Sequence, residues 1–263
     1  MNLGNIISDS FKYPFSDIGK FLIFCVITIF VSIVSVVGSL GYTGDLIAIL
    51  SIVSLIFSIF IPGYFLDILK TTMNGESVLP DFDVVGQFIK GIKAVIFKFI
   101  YYIIPTILTL LITWATGGFS SGGEIFQALV SSNMTNASSL ASVVPASTLT
   151  TFGTSMTITA LLGVVIFFIF EIFCILGLCR FVKHDSFLEG FNITELWGDI
   201  NRIGLINVII CFIVLYIIVW IITFISLFLY IIPFIGGILS AILGVGFVQL
   251  VMARSVALLY SEQ

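Results

Sequence analysis

Long runs of apolar residues dominate the chain, and their lengths predict a bundle of membrane-spanning helices. A hydrocarbon core about 30 Å thick is crossed by about 20 apolar residues of α-helix. The last two runs form one charge-free block over residues 203–253. We divide it at residues 230–237, because Pro233 and a pair of glycines are typical of a tight turn. Six spans result, at residues 21–41, 46–66, 94–115, 156–179, 203–230 and 236–256.

The basic residues all fall on one side of this topology. The loops on the other side carry only Asp45 and Glu124 as charged residues. Because Lys and Arg are concentrated in cytoplasmic loops, both termini are predicted to be cytoplasmic, in a multi-pass protein of the cell membrane. The ten basic residues are Lys12, Lys20, Lys70, Lys90, Lys93, Lys98, Arg180, Lys183, Arg202 and Arg254.

The amino-acid composition agrees with a membrane protein and argues against one class of partner. Of the 263 residues, 59% are hydrophobic and 9% charged, whereas a soluble domain is about a quarter charged. The net charge of −4 and the lack of a basic stripe argue against a nucleic-acid partner. We expect membrane lipids as partners, and possible binding to a membrane protein or a second copy. The four cysteines lie in apolar runs and are predicted to be buried thiols rather than metal ligands. No cofactor is expected.

A polar segment at residues 116–155 is predicted to be the one long outer loop of a single integral membrane domain. It is rich in Ser, Thr, Asn and Gly and carries one charge, Glu124. Two glycosylation sequons begin at Asn133 and Asn136. Short apolar patches favour a segment that lies on the outer membrane surface and caps the helices. A disordered polar loop explains the composition equally well.

Amphipathic stretches precede the odd-numbered spans. Residues 1–20 carry apolar side chains at helical spacing, which predicts an interfacial helix with its lysines toward water. Related stretches occur at residues 85–96 and 197–209. The fold class predicted is therefore an all-α membrane protein with about six spans and cytoplasmic interfacial helices. The pattern also suggests three parallel repeats of interfacial helix, span, outer turn and span.

Several motifs resemble one archaeal membrane family, catalogued as domain of unknown function 4013. They are densest in the first 110 residues: ISDSFKYP at 7–14, IPGYFLDILK at 61–70, NG at 74–75, LPDFD at 79–83 and YIIP at 102–105. A basic residue commonly follows Gly-Tyr-x-x in this family, whereas this chain has Asp67, so no role is carried over for that cation. The resemblance implies a polytopic membrane protein and brings no activity with it.

Glu171 is the ionisable side chain deepest within a predicted span. It lies nine residues before Arg180, hence about 13 Å along the helix from it. A carboxyl group at this depth is expected to be neutral or to face a cytoplasmic water cavity. One hypothesis makes it a proton- or cation-coupling group. The alternative is a neutral acid hydrogen-bonded to a hydroxyl or a backbone carbonyl.

Helix-breaking and small residues offer weaker candidates. Pro62 with Gly63, and Pro105, can break helices and expose carbonyls, as in transporter sites, but kinks also arise from packing alone. On the last span, the small residues Gly236, Ser240 and Gly244 recur at four-residue spacing and favour close helix packing. Packing within the chain is favoured over a dimer seam.

The cytoplasmic loop at 67–93 holds Asp81 and Asp83, which can bind a divalent cation, although a solvated turn is favoured and we assign no metal site.

Three function classes follow from the sequence. No nucleophile elbow, phosphate loop or zinc motif occurs, so an enzyme is not expected. A non-enzymatic component that binds lipid or a partner is the leading hypothesis. A small transporter or channel with Glu171 near its pathway is the alternative.

Overall fold

A computed structural model describes residues 3–131, 143–232 and 235–261. Asn133, Asn136 and Pro233 lie outside these ranges, so the predicted sequons and the proline of the turn are not described. Within them the regular elements are α1 (Leu3–Lys12), α2 (Ile18–Val31), α3 (Ile33–Ser39), α4 (Asp45–Met73), α5 (Val84–Ala115), α6 (Gly118–Ser131), α7 (Ala146–His184), α8 (Ile193–Ile203), α9 (Leu205–Leu229) and α10 (Gly236–Ser261), with 3-10 turns at Tyr13–Ser16 and Phe187–Phe191.

The predicted all-α membrane fold is confirmed. Five helices, α4, α5, α7, α9 and α10, are long and apolar enough to cross a membrane, and the count is six if the bent pair Leu3–Ser16 and Ile18–Val31 is one span. Only 17% to 50% of the most apolar window of each helix is buried within the protein. The remaining apolar surface requires a hydrocarbon environment, since water would disfavour its exposure.

The first predicted span corresponds to α2 and α3. The Ser32 N–H at their junction still donates to the Thr28 carbonyl at 3.1 Å, so helical bonding continues across it. The segment Leu3–Ser16 lies at 88° to α2. The bend falls at Asp17, whose extended backbone leaves the helix and whose carboxylate accepts from the Lys20 N–H at 3.0 Å. This is a side-chain N-cap, which fixes where α2 begins.

Helices extend into segments predicted to be irregular or separate. The amphipathic stretch at 85–96 is the first part of α5 rather than a helix of its own, whereas α8 is separate because Gly204 adopts φ 96° and ends it. Residues 118–131 and 146–155, predicted as outer loop, are also helical. Their hydroxyl groups bond back to carbonyls four residues earlier, for example Ser131 to Gln127 and Thr150 to Ala146, both at 2.8 Å or less. This bonding lets a polar segment stay helical.

The chain divides into two compact units. Unit 1 comprises Met1–Phe97 and Cys174–Gln263, and unit 2 comprises Lys98–Phe173. In unit 1, Tyr64 stacks between Phe24 and Phe82 at centroid distances of 5.0 and 4.7 Å. In unit 2, hydroxyl pairs join α5 to α7, such as Thr113 with Thr159 at 3.2 Å. The four cysteines are buried, as predicted: Cys25, Cys174, Cys179 and Cys211.

Candidate functional site: the charged layer of unit 1

Three ion pairs fasten helix ends to amphipathic segments in unit 1, and we call them the helix-end ion pairs. Each joins the C-terminal part of a long helix to a segment that precedes a predicted odd-numbered span. Asp67 of α4 pairs with Lys90 of α5, Arg180 of α7 with Asp199 of α8, and Arg254 of α10 with Asp9 of α1, at N–O distances of 2.5, 2.9 and 2.8 Å.

Arg254 forms the ion pair that joins α10 to α1. Its guanidinium is buried and donates from Nε to Asp9, and from Nη1 to the Thr72 hydroxyl at 3.1 Å and the Glu76 carbonyl at 2.5 Å. The group also lies 4.8 Å from the centre of the Tyr13 ring. Burial raises the pKa of the Tyr13 hydroxyl, which lies outside the predicted spans. The planar, multidentate guanidinium suits such a site better than an ammonium group.

Arg180 organises the second cluster around a buried carboxylate. Asp199 is 1% exposed and accepts from Arg180 at 2.9 Å, Arg202 at 2.7 Å and the Tyr260 hydroxyl at 2.7 Å. Arg180 also donates to Glu189 at 2.9 Å. A carboxylate removed from water is tolerated when its oxygens accept hydrogen bonds from guanidinium and hydroxyl donors in this way. The cluster therefore ties α7, α8 and α10 together.

Polar contacts hold the loop between α4 and α5 in place within unit 1. Lys20 contacts the Asp81 carboxylate at 2.9 Å and the Leu79 carbonyl at 2.7 Å. Asp83 instead caps α5, accepting from the Gly86 N–H at 3.0 Å. The two carboxylates thus serve different partners. Over residues 3–131, 143–232 and 235–261, no group of three or more His, Cys, Asp or Glu is placed to hold a metal ion.

Two adjoining cavities open among the charged residues at these helix ends, which we call the charged layer. The larger, of about 390 Å³, lies where the ends of α4, α7 and α10 meet and is lined by Lys70, Lys183 and Tyr260 among others. The smaller, of about 160 Å³, also has Lys70 in its wall. Its other charged lining residues are Asp67, Lys90, Lys93 and Asp185. Lysines therefore outnumber acids four to two around the pair of cavities.

Glu171, the intramembrane candidate, has a defined neighbour in unit 2. The Tyr102 hydroxyl donates to a Glu171 carboxylate oxygen. Tyr102 belongs to α5 and Glu171 to α7, so the bond links two predicted spans. The contact is of the kind expected for an acid hydrogen-bonded to a nearby hydroxyl. It also places the Tyr102 hydroxyl, a group that can exchange a proton, beside the carboxyl group.

The proline and glycine candidates lie at packing positions. Pro62 and Pro105 are both inside continuous helices. A Cβ atom at Gly63 would lie 1.8 Å from the Gln87 carbonyl oxygen, and one at Gly91 would lie 1.8 Å from that of Ile59. The two glycines therefore allow the backbones of α4 and α5 to touch.

The small residues of α10 also face their own chain. A Cβ at Gly244 would lie 3.2 Å from the Ser226 hydroxyl of α9, and one at Gly236 would lie 1.9 Å from the Leu229 carbonyl oxygen. Ser240 is 8% exposed. These positions favour packing within the chain. The contacts leave the dimer alternative without support from Gly236 or Gly244.

Sequence reasoning missed the roles of the arginines. Among the basic residues, Arg180, Arg202 and Arg254 all contact a carboxylate. The available signal was the residue type: the chain places Arg at only three of ten basic positions, and Arg is preferred for buried, multidentate pairs. The partner of Arg254 could not be identified from the sequence, because Asp9 is 245 positions away.

Comparison with known proteins adds a family but no activity. The model of a family described as "Protein of unknown function (DUF4013)" matches residues 46–231. No curated protein matches the chain, and no solved structure does.

Proposed function

This chain belongs to the family of proteins of unknown function DUF4013, and we propose that it is a non-enzymatic component of the cell membrane that binds lipid or a membrane partner. Binding would occur on the side that carries the basic residues, which we place in the cytoplasm together with both termini. The proposal concerns the amphipathic segments that the helix-end ion pairs hold in position.

The observation that carries the proposal is that apolar side chains are exposed on a segment that an ion pair holds in place. On the segment that follows α7, Leu188, Ile193 and Trp197 are 77%, 64% and 46% exposed. The same segment is held by Asp199 through its contact with Arg180. A rigidly anchored segment with outward apolar side chains is suited to the membrane interface or to a partner. The charged groups of the helix-end ion pairs contact one another, which favours a structural role for these groups over catalysis.

Native mass spectrometry of the protein, extracted gently from its own membrane, tests this function. We expect discrete adducts of lipid or of a second protein. Replacement of both Ile193 and Trp197 by serine should reduce these adducts, because it removes the exposed apolar surface. The matched control is Asn201→Ser, on the same helix and also exposed. A bare monomer from the wild-type protein would overturn the proposal.

Transport is a second candidate function, favoured by the bond between Tyr102 and Glu171. A hydroxyl and a carboxyl group joined across α5 and α7 can take part in proton or cation coupling. Proteoliposome flux measurements would compare the wild type with Glu171→Gln, which keeps an oxygen acceptor for Tyr102. If the leading proposal is correct, Glu171→Gln should show the same flux as the wild type. Flux that is present in the wild type and absent in Glu171→Gln would establish the transport alternative.

A further inference from the structure

The two cavities of the charged layer have several lysines in their walls, and not all of these lysines belong to the helix-end ion pairs. Lys90 is neutralised by Asp67 at 2.5 Å. Lys70 and Lys93 make no ion pair within the part of the chain that the structure describes, and both are exposed. Lys183 lies with its ammonium group 5.1 Å from the centre of the Tyr260 ring. The charges of Lys70 and Lys93 are therefore not paired with a carboxylate among the described residues, in a chain of net charge −4.

Helix dipoles account for only part of this charge. Lys70 and Lys183 lie in the last turns of α4 and α7, where a cation is favoured by the partial negative charge of a helix C-terminus. The partial charge of a helix C-terminus does not explain the position of Lys93. It lies nine residues after Val84, the first residue of α5, so it is beyond the first turn and far from the last. Lys93 lines the smaller cavity together with Lys70.

The size and composition of the larger cavity suit a polar headgroup. Its volume of about 390 Å³ falls in the range of small-molecule sites, about 300–1,000 Å³. Asn74 and Tyr260 add polar groups to its wall, while Met73 and Val182 add apolar surface. Basic pockets between membrane helices on the cytoplasmic side are suited to acidic lipid headgroups.

We propose that the cavities lined by Lys70, Lys93 and Lys183 form a binding site for a phosphate-bearing ligand, either an anionic lipid headgroup or a free phosphate compound. The inference rests on the proposed lipid- or partner-binding function and gives it a site. Lys70, shared by both cavities, contacts the phosphate group together with Lys93 and Lys183. The side chains of Met73 and Val182 lie against the less polar part of the ligand.

The test uses the purified full-length chain in a neutral detergent. Its melting temperature would be measured during titration with short-chain phosphatidylglycerol, short-chain phosphatidylcholine and inorganic phosphate. We expect phosphatidylglycerol to stabilise the wild-type protein more than phosphatidylcholine does. Each lysine contributes about fivefold in affinity, so Lys70→Gln/Lys93→Gln should weaken phosphatidylglycerol binding about 25-fold. Lys12→Gln, an exposed lysine outside the cavities, should bind as the wild type does.

The outcomes separate this site from the broader function. Stabilisation by inorganic phosphate equal to that by phosphatidylglycerol would assign the site to free phosphate compounds. Equal phosphatidylglycerol affinity in the wild type and the double variant would overturn the site, while lipid or protein adducts in native mass spectra would leave the proposed function standing. An unchanged melting temperature of the ligand-free double variant checks that its folding is intact. A double variant that fails to fold would be replaced by Lys93→Gln alone, for which a loss of less than twofold overturns the proposal.

Discussion

Arg254 and Asp9 lie 245 positions apart in the chain and are joined by a 2.8 Å hydrogen bond from the guanidinium Nε to the carboxylate. The side chain of Arg254 is 7% exposed and that of Asp9 is 48% exposed. The pair fastens the first helix to the last one. Since Arg254 also contacts Thr72 and the Glu76 carbonyl, three parts of unit 1 meet at one side chain.

The energetic coupling of this pair can be measured directly. We expect the double variant Asp9→Asn/Arg254→Gln to be less destabilised than the sum of the two single variants, by about 1 kcal/mol, because half of the pair is exposed to solvent. The readout is the melting temperature reported by a thiol-reactive dye, which detects the four buried cysteines on unfolding. A coupling of 1 kcal/mol corresponds to about 2–4 °C. Strictly additive shifts would mean that the pair contributes nothing.

Asp199 should be the most sensitive carboxylate of the layer. Asp199→Asn removes the charge that three donors share, which costs about 3 kcal/mol for a buried pair, and the melting temperature should fall accordingly. Glu195→Gln is the matched control, because Glu195 is 53% exposed and 3.6 Å from Arg180. Its shift should be small. Equal shifts in the two variants would contradict the view that the buried Asp199 carboxylate stabilises the cluster.

The crossing of α4 and α5 predicts a large effect from a single methyl group. Gly63→Ala places a Cβ 1.8 Å from the Gln87 carbonyl oxygen, so the helices must separate, at a cost of about 1–3 kcal/mol. Gly198→Ala on α8 meets no atom within 4 Å and should be neutral or stabilising, because Ala favours helix more than Gly does. Circular dichroism during thermal unfolding would compare them. A Gly63→Ala protein as stable as Gly198→Ala would refute the close crossing.

The orientation in the membrane remains a prediction that labelling can decide. The native cysteines are buried, so a membrane-impermeant maleimide should give little background. Glu124→Cys, on the predicted outer side, should be labelled in intact cells. Glu195→Cys, on the basic side, should be labelled only after permeabilisation. The reverse pattern would invert the topology and move the proposed binding surface outside the cell.

Local sequence patterns predicted the fold class and the approximate number of spans, but not the contacts of the charged layer, for physical reasons. Apolar run length determines whether a helix can cross hydrocarbon, so the spans could be recognised without tertiary knowledge. The partition of Lys and Arg placed Arg180 and Arg254 at one side but could not pair them, because pairing depends on which helices are neighbours. Polar residues such as Ser131 and Thr150 left a disordered loop as one of two alternatives for their segments, although back-bonded hydroxyls allow helix there.

The departure at Asp67 illustrates the same limit. In the sequence it stands where the resembled family commonly has a basic residue, and the family pattern alone gave it no role. In the structure it pairs with Lys90, so the position of the contact matches the other two helix-end ion pairs while the signs of the charges are exchanged. Charge alone would not have identified this equivalence. The placement of the residue near the end of α4 does.

The contact between the two ends of the chain also has a consequence for synthesis. Ribosomes add about 5–20 residues per second, so Arg254 emerges roughly 12 to 50 s after Asp9, given their separation of 245 positions. Throughout that interval α1 has already been made, yet the helix that receives it does not exist. Ile6 and Tyr13, which are buried in the finished protein, must be sheltered in the meantime by lipid or by the insertion machinery. The helix α1 is thus made long before α10, the partner that it needs to reach its final position.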